Sequence, residues 1–135
     1  MRQMFVDTAG WVAAADRRDS KGPAVRDSRD DWLSSGGLLT TTDYVIDETL
    51  TTIRSRLGLD AAEAWWVQID GSSRLRVESI DEARSERARA LFFGYRDKQF
   101  SFTDCSSFVL MRELHIKRVL TLDHHFRQMG FEVVP

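Results

Sequence analysis

FSFTDCSSFVLMRELHIKRVLTLDHHF, residues 100–126, reads as a buried helix, a tight turn, a short strand and a carboxylate just past the strand's end. Asp104 opens the helix. Cys105, Phe108, Val109, Leu110, Met111 and Leu114 leave it almost no polar face, and a helix apolar on nearly every side is a buried one. Arg118 to Leu122 is expected as a strand, with Asp123 directly after it. One carboxylate thus sits at a helix start and another at a strand's C-terminal end. Both are tied to core elements, where an unpaired charge is costly.

The rest of the chain repeats the alternation. Downstream, His124 to Met129 is a short helix stopped by Gly130, and Phe131 to Val134 is a last strand. Upstream, Asp81 to Phe93 is a helix carrying Arg84, Arg87 and Arg89, and Leu75 to Val77 is a strand. Leu59 to Ile69 is a helix with Trp65 and Trp66 side by side. Asp43 to Leu57 carries Ile46, Leu50, Ile53 and Leu57 as one apolar stripe. Leu38 to Thr42 is a strand, and Ala24 to Leu33 is a helix stopped by Gly36-Gly37. Asp16 to Pro23 is a charged loop closed by Gly-Pro. Thr8 to Ala15 is a helix, and Met4 to Val6 is a strand that ends at Asp7. Strands alternating with helices predict an α/β fold with a mostly parallel sheet.

A chain of 135 residues fits a single domain, large enough to bury roughly two thirds of its unfolded surface. The 42% apolar and 30% charged shares are those of a soluble globular protein. The net charge of −2 gives no global basic signal, but sixteen of the nineteen cationic residues are Arg. The planar guanidinium suits bidentate contact with carboxylate or phosphate. With 21 acidic residues present, most Arg are expected to pair on the surface. Cys105, the lone cysteine, cannot form a disulfide within the chain and reads as a small hydrophobe. Met1 to Val6 lacks the apolar core of a signal peptide, and no run approaches membrane-spanning length. A cytoplasmic location without membrane association is expected.

Asp7, Asp104 and Asp123 can each be an N-cap, for which Asp is favoured; Thr103 competes with Asp104 for that place. Position adds a second reading. Ligands of open α/β sheets bind beyond the C-terminal ends of strands, near the switch in strand order. Asp7 and Asp123 both follow strands, and the helix from Asp104 leads into the same strand that Asp123 ends. If those strands are neighbours, three carboxylates converge. Their pKa values then rise unless a cation neutralises them, and a hard divalent ion with oxygen ligands does so. Glu48 lies five residues past Asp43, nearly opposite the Ile46–Leu57 stripe, so periodicity alone places it on a solvated face.

Four pieces together decide between these readings: VDT with Asp7, TTDYVIDETLTTIRSR with Glu48, FSFTDCSSFVLMREL with Asp104, and VLTLDHHFRQMGF with Asp123. Their order and spacing, over the whole chain, resemble PIN-domain ribonucleases, most closely the VapC-type toxins of bacterial toxin–antitoxin pairs. The resemblance implies a three-layer α/β/α fold with about five strands in the order 3-2-1-4-5. It implies that Asp7, Glu48, Asp104 and Asp123 surround Mg²⁺ or Mn²⁺, with Thr8 and Thr121 in support. Asp7 and Asp104 would be ligands, directly or through water. Glu48 and Asp123 would orient waters or assist proton transfer. It further implies a homodimer and an antitoxin whose C-terminal tail lies in a groove and blocks the site; Trp32, Tyr44 and Trp66 are candidates for that groove. Relatives often carry a polar or acidic residue where this chain has Phe108. Hydrolysis of an RNA phosphodiester is the implied activity. Arg17, Arg18 and Arg96, in or beside loops, are candidate contacts to RNA phosphates.

His124 and His125 are adjacent, so on a helix they diverge by about 100°; surface or helix-start places are expected rather than a joint metal site. Of Trp65 and Trp66, one is expected in the core and one outside. A PIN-like module that binds RNA or protein without cleaving is the alternative. An aspartyl-phosphate phosphatase wants D-x-D after the first strand, and this chain has Asp7-Thr8-Ala9. The phosphate-binding glycine loops of nucleotide-binding folds are absent.

Overall fold

A computed structural model describes residues 2–135. The elements run β1 (Gln3–Val6), α1 (Thr8–Ala15), α2 (Gly22–Ser34), β2 (Leu38–Thr42), α3 (Asp43–Leu57), α4 (Leu59–Ile69), β3 (Leu75–Glu78), α5 (Glu82–Gly94), α6 (Phe102–Glu113), β4 (Arg118–Leu120), α7 (His125–Gln128) and β5 (Glu132–Val134). The five strands form one sheet in the order β3-β2-β1-β4-β5, and every pairing is parallel. Helices cover both faces of such a sheet, so its inner strands are buried and nearly continuous in apolar residues. Met4, Phe5 and Val6 of β1 and all of β2 are buried accordingly.

The strand order reverses at β1. Met4 pairs with Leu39 of β2 on one side and with Arg118 of β4 on the other. The loops leaving the C-terminal ends of β1 and β4 therefore diverge around a crevice, the usual ligand position in this architecture. The expected strand order holds, and so does the buried helix: residues 104–111 of α6 are buried without exception. Phe108 packs edge-on against Phe100 and Phe126, each with ring centroids 5.0 Å away. Phe108 is thus a core anchor, which accounts for an apolar residue at that position.

Several boundaries move for physical reasons. Gly22 and Pro23, read as the end of a loop, instead start α2; proline in a first helical turn gives up no hydrogen bond. β4 stops at Leu120. The Thr121 N–H still pairs with the Val134 carbonyl, but the Thr121 hydroxyl accepts the Asp123 N–H at 3.0 Å and turns the chain out of the strand. On α3 the buried face is Val45, Thr49 and Ile53, while Ile46, Leu50 and Leu57 are only partly buried. The hydroxyls of β2 have distinct duties. Thr41 donates to the Val6 carbonyl at 3.0 Å, and Thr42 caps α3 by accepting the Val45 N–H at 3.1 Å.

Trp65 is buried against Trp11, rings 5.5 Å apart, whereas Trp66 is 40% exposed. Trp32 lies beneath the Arg2 and Arg118 guanidiniums, and Tyr44 packs on Phe102. Trp32, Tyr44 and Trp66 thus have separate surroundings. No helix among the described residues is long and apolar enough to cross a membrane.

Gly10 brings α1 onto the sheet at the crevice. A Cβ there would collide with the Leu120 carbonyl, a backbone group that cannot move aside. Gly10→Ala is expected to lower the urea midpoint, at a cost of roughly 1–3 kcal/mol, as overpacking does; an unchanged midpoint would show that α1 sits more loosely.

Candidate active site

The end of β1 delivers Asp7 into the crevice, only 3% exposed. Asp7 occupies the N-cap position of α1, yet its side chain makes no capping hydrogen bond. Its Oδ2 accepts the Thr121 hydroxyl at 3.1 Å instead. Thr121 also takes the Asp123 N–H, so one hydroxyl couples the turn after β4 to the carboxylate after β1.

Asp104 arrives from α6. Ser101, rather than Asp104 or Thr103, is the N-cap, and Asp104 is the third residue of the helix. The two form a capping box: the Ser101 hydroxyl accepts the Asp104 N–H at 3.0 Å, and Asp104 Oδ2 accepts the Ser101 N–H at 3.0 Å. That box fixes the carboxylate at 6% exposure. Asp123 does have a local structural duty, since its Oδ1 accepts the His125 N–H at 2.9 Å.

His125 is the residue that sequence reasoning placed outside the site. Its Nδ1 lies 2.9 Å from Asp104 Oδ2 and 3.3 Å from Asp123 Oδ1. When Asp104 is ionised its carboxylate only accepts, and Nδ1 then carries the proton between them. The divergence expected of adjacent residues is there: the His124 side chain is 72% exposed and that of His125 18%. The seating of Phe126 sets the direction of His125. Burial of Phe126 at the core fixes the short helix and swings His125 towards the carboxylates.

Asp104, Asp123 and His125 each offer a ligand atom, all within 4.8 Å of one another. Asp7 borders this group electrostatically. Burial, then the Asp104 charge, push its carboxyl up to about 7 despite the opposing Thr8 N–H and Thr121 hydroxyl. Burial likewise raises Asp104, against the lowering pull of Ser101 and His125. Buried acids that resist ionisation together are neutralised by a bound cation. Oxygen donors suit a hard divalent ion such as Mg²⁺ or Mn²⁺. The residues present therefore fit a divalent metal.

Glu48 is half-buried and is not a member of that ligand group. The shift of the buried face on α3 brings it from about 170° to about 100° off the face's centre. It flanks the core rather than opposing it. Thr8 is buried beside Asp7, with its hydroxyl unpartnered. Arg17, Arg18 and Arg96 are exposed, and Arg17 lines a cavity with Ala61, Ala64 and Trp65 of α4.

His125→Ala removes the Asp104 partner. Loss of a residue that orients a metal-holding group costs about 10–100-fold in affinity. Mn²⁺ titration is expected to show a loss in that range, and parent-like affinity would exclude His125 from the site.

A family model described as PIN domain matches residues 4–132. The 23S rRNA-specific endonuclease VapC20 of Mycobacterium tuberculosis is 33% identical over 134 residues, covering 98% of each chain. Ribonuclease VapC26 of the same species is 28% identical, over 98% of this chain and all of that one. The crystal structure of VapC20, described as a sarcin–ricin loop cleaving toxin, superposes with a TM-score of 0.88 at 30% identity, over 98% of this chain and 99% of that one. The VapBC2 structure from Rickettsia felis, bound to a DNA fragment from the promoter, matches at 0.73 with 9% identity over 97% and 96%, a likeness of fold alone.

Proposed function

The chain belongs to the PIN-domain family, and on that premise we propose that it is a divalent-metal-dependent endoribonuclease, the toxin of a toxin–antitoxin pair. The observation that carries this reading is the grouping of Asp104, Asp123 and His125 at the β1/β4 crevice, with Asp7 tied to it through the Thr121 hydroxyl. Asp7 and Asp104 would hold Mg²⁺, or Mn²⁺ in its place, with His125 bracing Asp104. When bound, such an ion offsets the carboxylate charge and acts as a Lewis acid towards a phosphodiester and its attacking water. Asp123 and Glu48 orient water or assist proton transfer. Thr121 keeps the Asp7 and Asp123 segments in register, and Thr8 supports Asp7. Arg17, Arg18 and Arg96 are surface cations available to more distant RNA phosphates.

The names of the 30–33% identical relatives support RNA as substrate and make 23S ribosomal RNA the first to try. The description of VapC20 as a toxin supports a protein antitoxin as partner. Exposed Phe92, Phe93 and Tyr95 form an aromatic surface of the kind that pairs two copies.

The test is incubation of purified protein with 23S and total RNA in Mg²⁺ or Mn²⁺, beside EDTA. Discrete fragments that vanish in EDTA are expected. Intact RNA at every metal level, from folded protein free of antitoxin, would favour the non-cleaving binding module.

A further inference from the structure

A cleft of about 330 Å³ adjoins the acidic group, with Thr121 and Asp123 forming one wall. Three cationic or basic residues line it: Lys21 from the α1–α2 loop, and His124 and Arg127 at α7. Lys21 and Arg127 are exposed and form no ion pair among those found between described residues. Two carboxylates near Lys21 are turned onto the backbone of their own loop. Asp19 accepts the Lys21 N–H at 2.8 Å, and Asp16 accepts the Arg18 N–H at 2.9 Å. His124 stands at the rim, its Nδ1 4.0 Å from Asp123 Oδ1. Leu122 and Val133 add apolar surface to the same cleft.

An acidic crevice repels the polyanion it must cleave. Cations placed one step away can hold the chain there without displacing a metal. We propose that this cleft seats an RNA backbone phosphate neighbouring the scissile one, held by Lys21 and Arg127, with its ribose on Leu122 and Val133. The inference rests on the ribonuclease reading and assigns cations that differ from Arg17, Arg18 and Arg96. Lys serves phosphate as a point charge and Arg as a fork.

The test uses RNA binding in an Asp104→Asn background, which separates binding from cleavage. Lys21→Ala/Arg127→Ala is expected to weaken RNA binding about tenfold or more and to lower the salt slope by about one. Lys21→Arg/Arg127→Lys is expected to keep most of the affinity. In the protein with Asp104 intact, the alanine pair is expected to bind Mn²⁺ as the parent does. An unchanged salt slope overturns the proposal, as does an alanine pair that loses Mn²⁺ binding along with RNA binding. If the slope is unchanged while the parent still cleaves RNA, only the subsite falls; if the parent neither binds nor cleaves RNA, the ribonuclease reading falls with it.

Discussion

Asp104→Asn is expected to cut metal-dependent RNA cleavage by at least about 100-fold, the upper range for residues one layer farther from a metal, while leaving the protein folded. Asn keeps the shape of the side chain and an oxygen that can accept the Ser101 N–H, so the capping box survives. What disappears is a charge that burial already disfavours. Without metal, the substitution should therefore stabilise the fold, because the repulsion with Asp123 and Asp7 is relieved. Activity and stability are expected to move in opposite directions. A urea midpoint that rises while kcat/KM collapses fits a site strained for function; a midpoint that falls would make Asp104 a structural residue.

Stability of the metal-free protein is expected to decline between about pH 4 and pH 7. Asp7 has its carboxyl at about 7 in the fold, against 3.8 for the free group. Across that interval the folded state holds a proton that the unfolded state has released. Stability therefore falls as pH rises through the window and levels off above it. Each unit of displacement corresponds to about 1.4 kcal/mol, so the whole effect amounts to a few kcal/mol. Glu113 has the opposite sign, because Arg84 and then Arg87 hold its carboxyl low, but its contribution is complete by about pH 5. Melts in EDTA should give a higher Tm at pH 5 than at pH 8. Asp7→Asn should flatten that difference. Mn²⁺ must displace the Asp7 proton, so its affinity should rise with pH, and saturating Mn²⁺ should restore the loss at pH 8. Equal Tm values at both pH values in EDTA would contradict the burial argument for Asp7.

The alternation of apolar runs made the sheet and its helices legible, because buried parallel strands and the buried α6 leave strong local patterns. The carboxylates were legible by position: Asp7 and Asp123 follow strands, and Asp104 lies in the first turn of a helix whose residues 104–111 are buried. The half-buried place of Glu48 was not, since a period-based stripe centred on Ile46 and Leu50 ignores Thr49, a polar residue that tertiary packing buries. His125 was hidden for a related reason. Its direction is set by how Phe126 seats in the core, a long-range contact with Phe5 and Phe108 that local spacing does not encode. The cations show the same limit. Arg17 and Arg18 drew notice by type, whereas Lys21 and Arg127 share a cleft only because the α1–α2 loop folds beside α7.

The most direct test of the account is the chemistry of the cut ends. If water attacks phosphorus at the acidic crevice and the 3′-oxygen leaves, fragments begin with a 5′-phosphate and end in a 3′-hydroxyl. The account predicts those ends, formed with Mn²⁺ or Mg²⁺ and absent in EDTA. Fragments with 5′-hydroxyl and 2′,3′-cyclic phosphate ends, still formed in EDTA, would mean that the ribose 2′-oxygen attacks without metal, and would contradict the account at its centre.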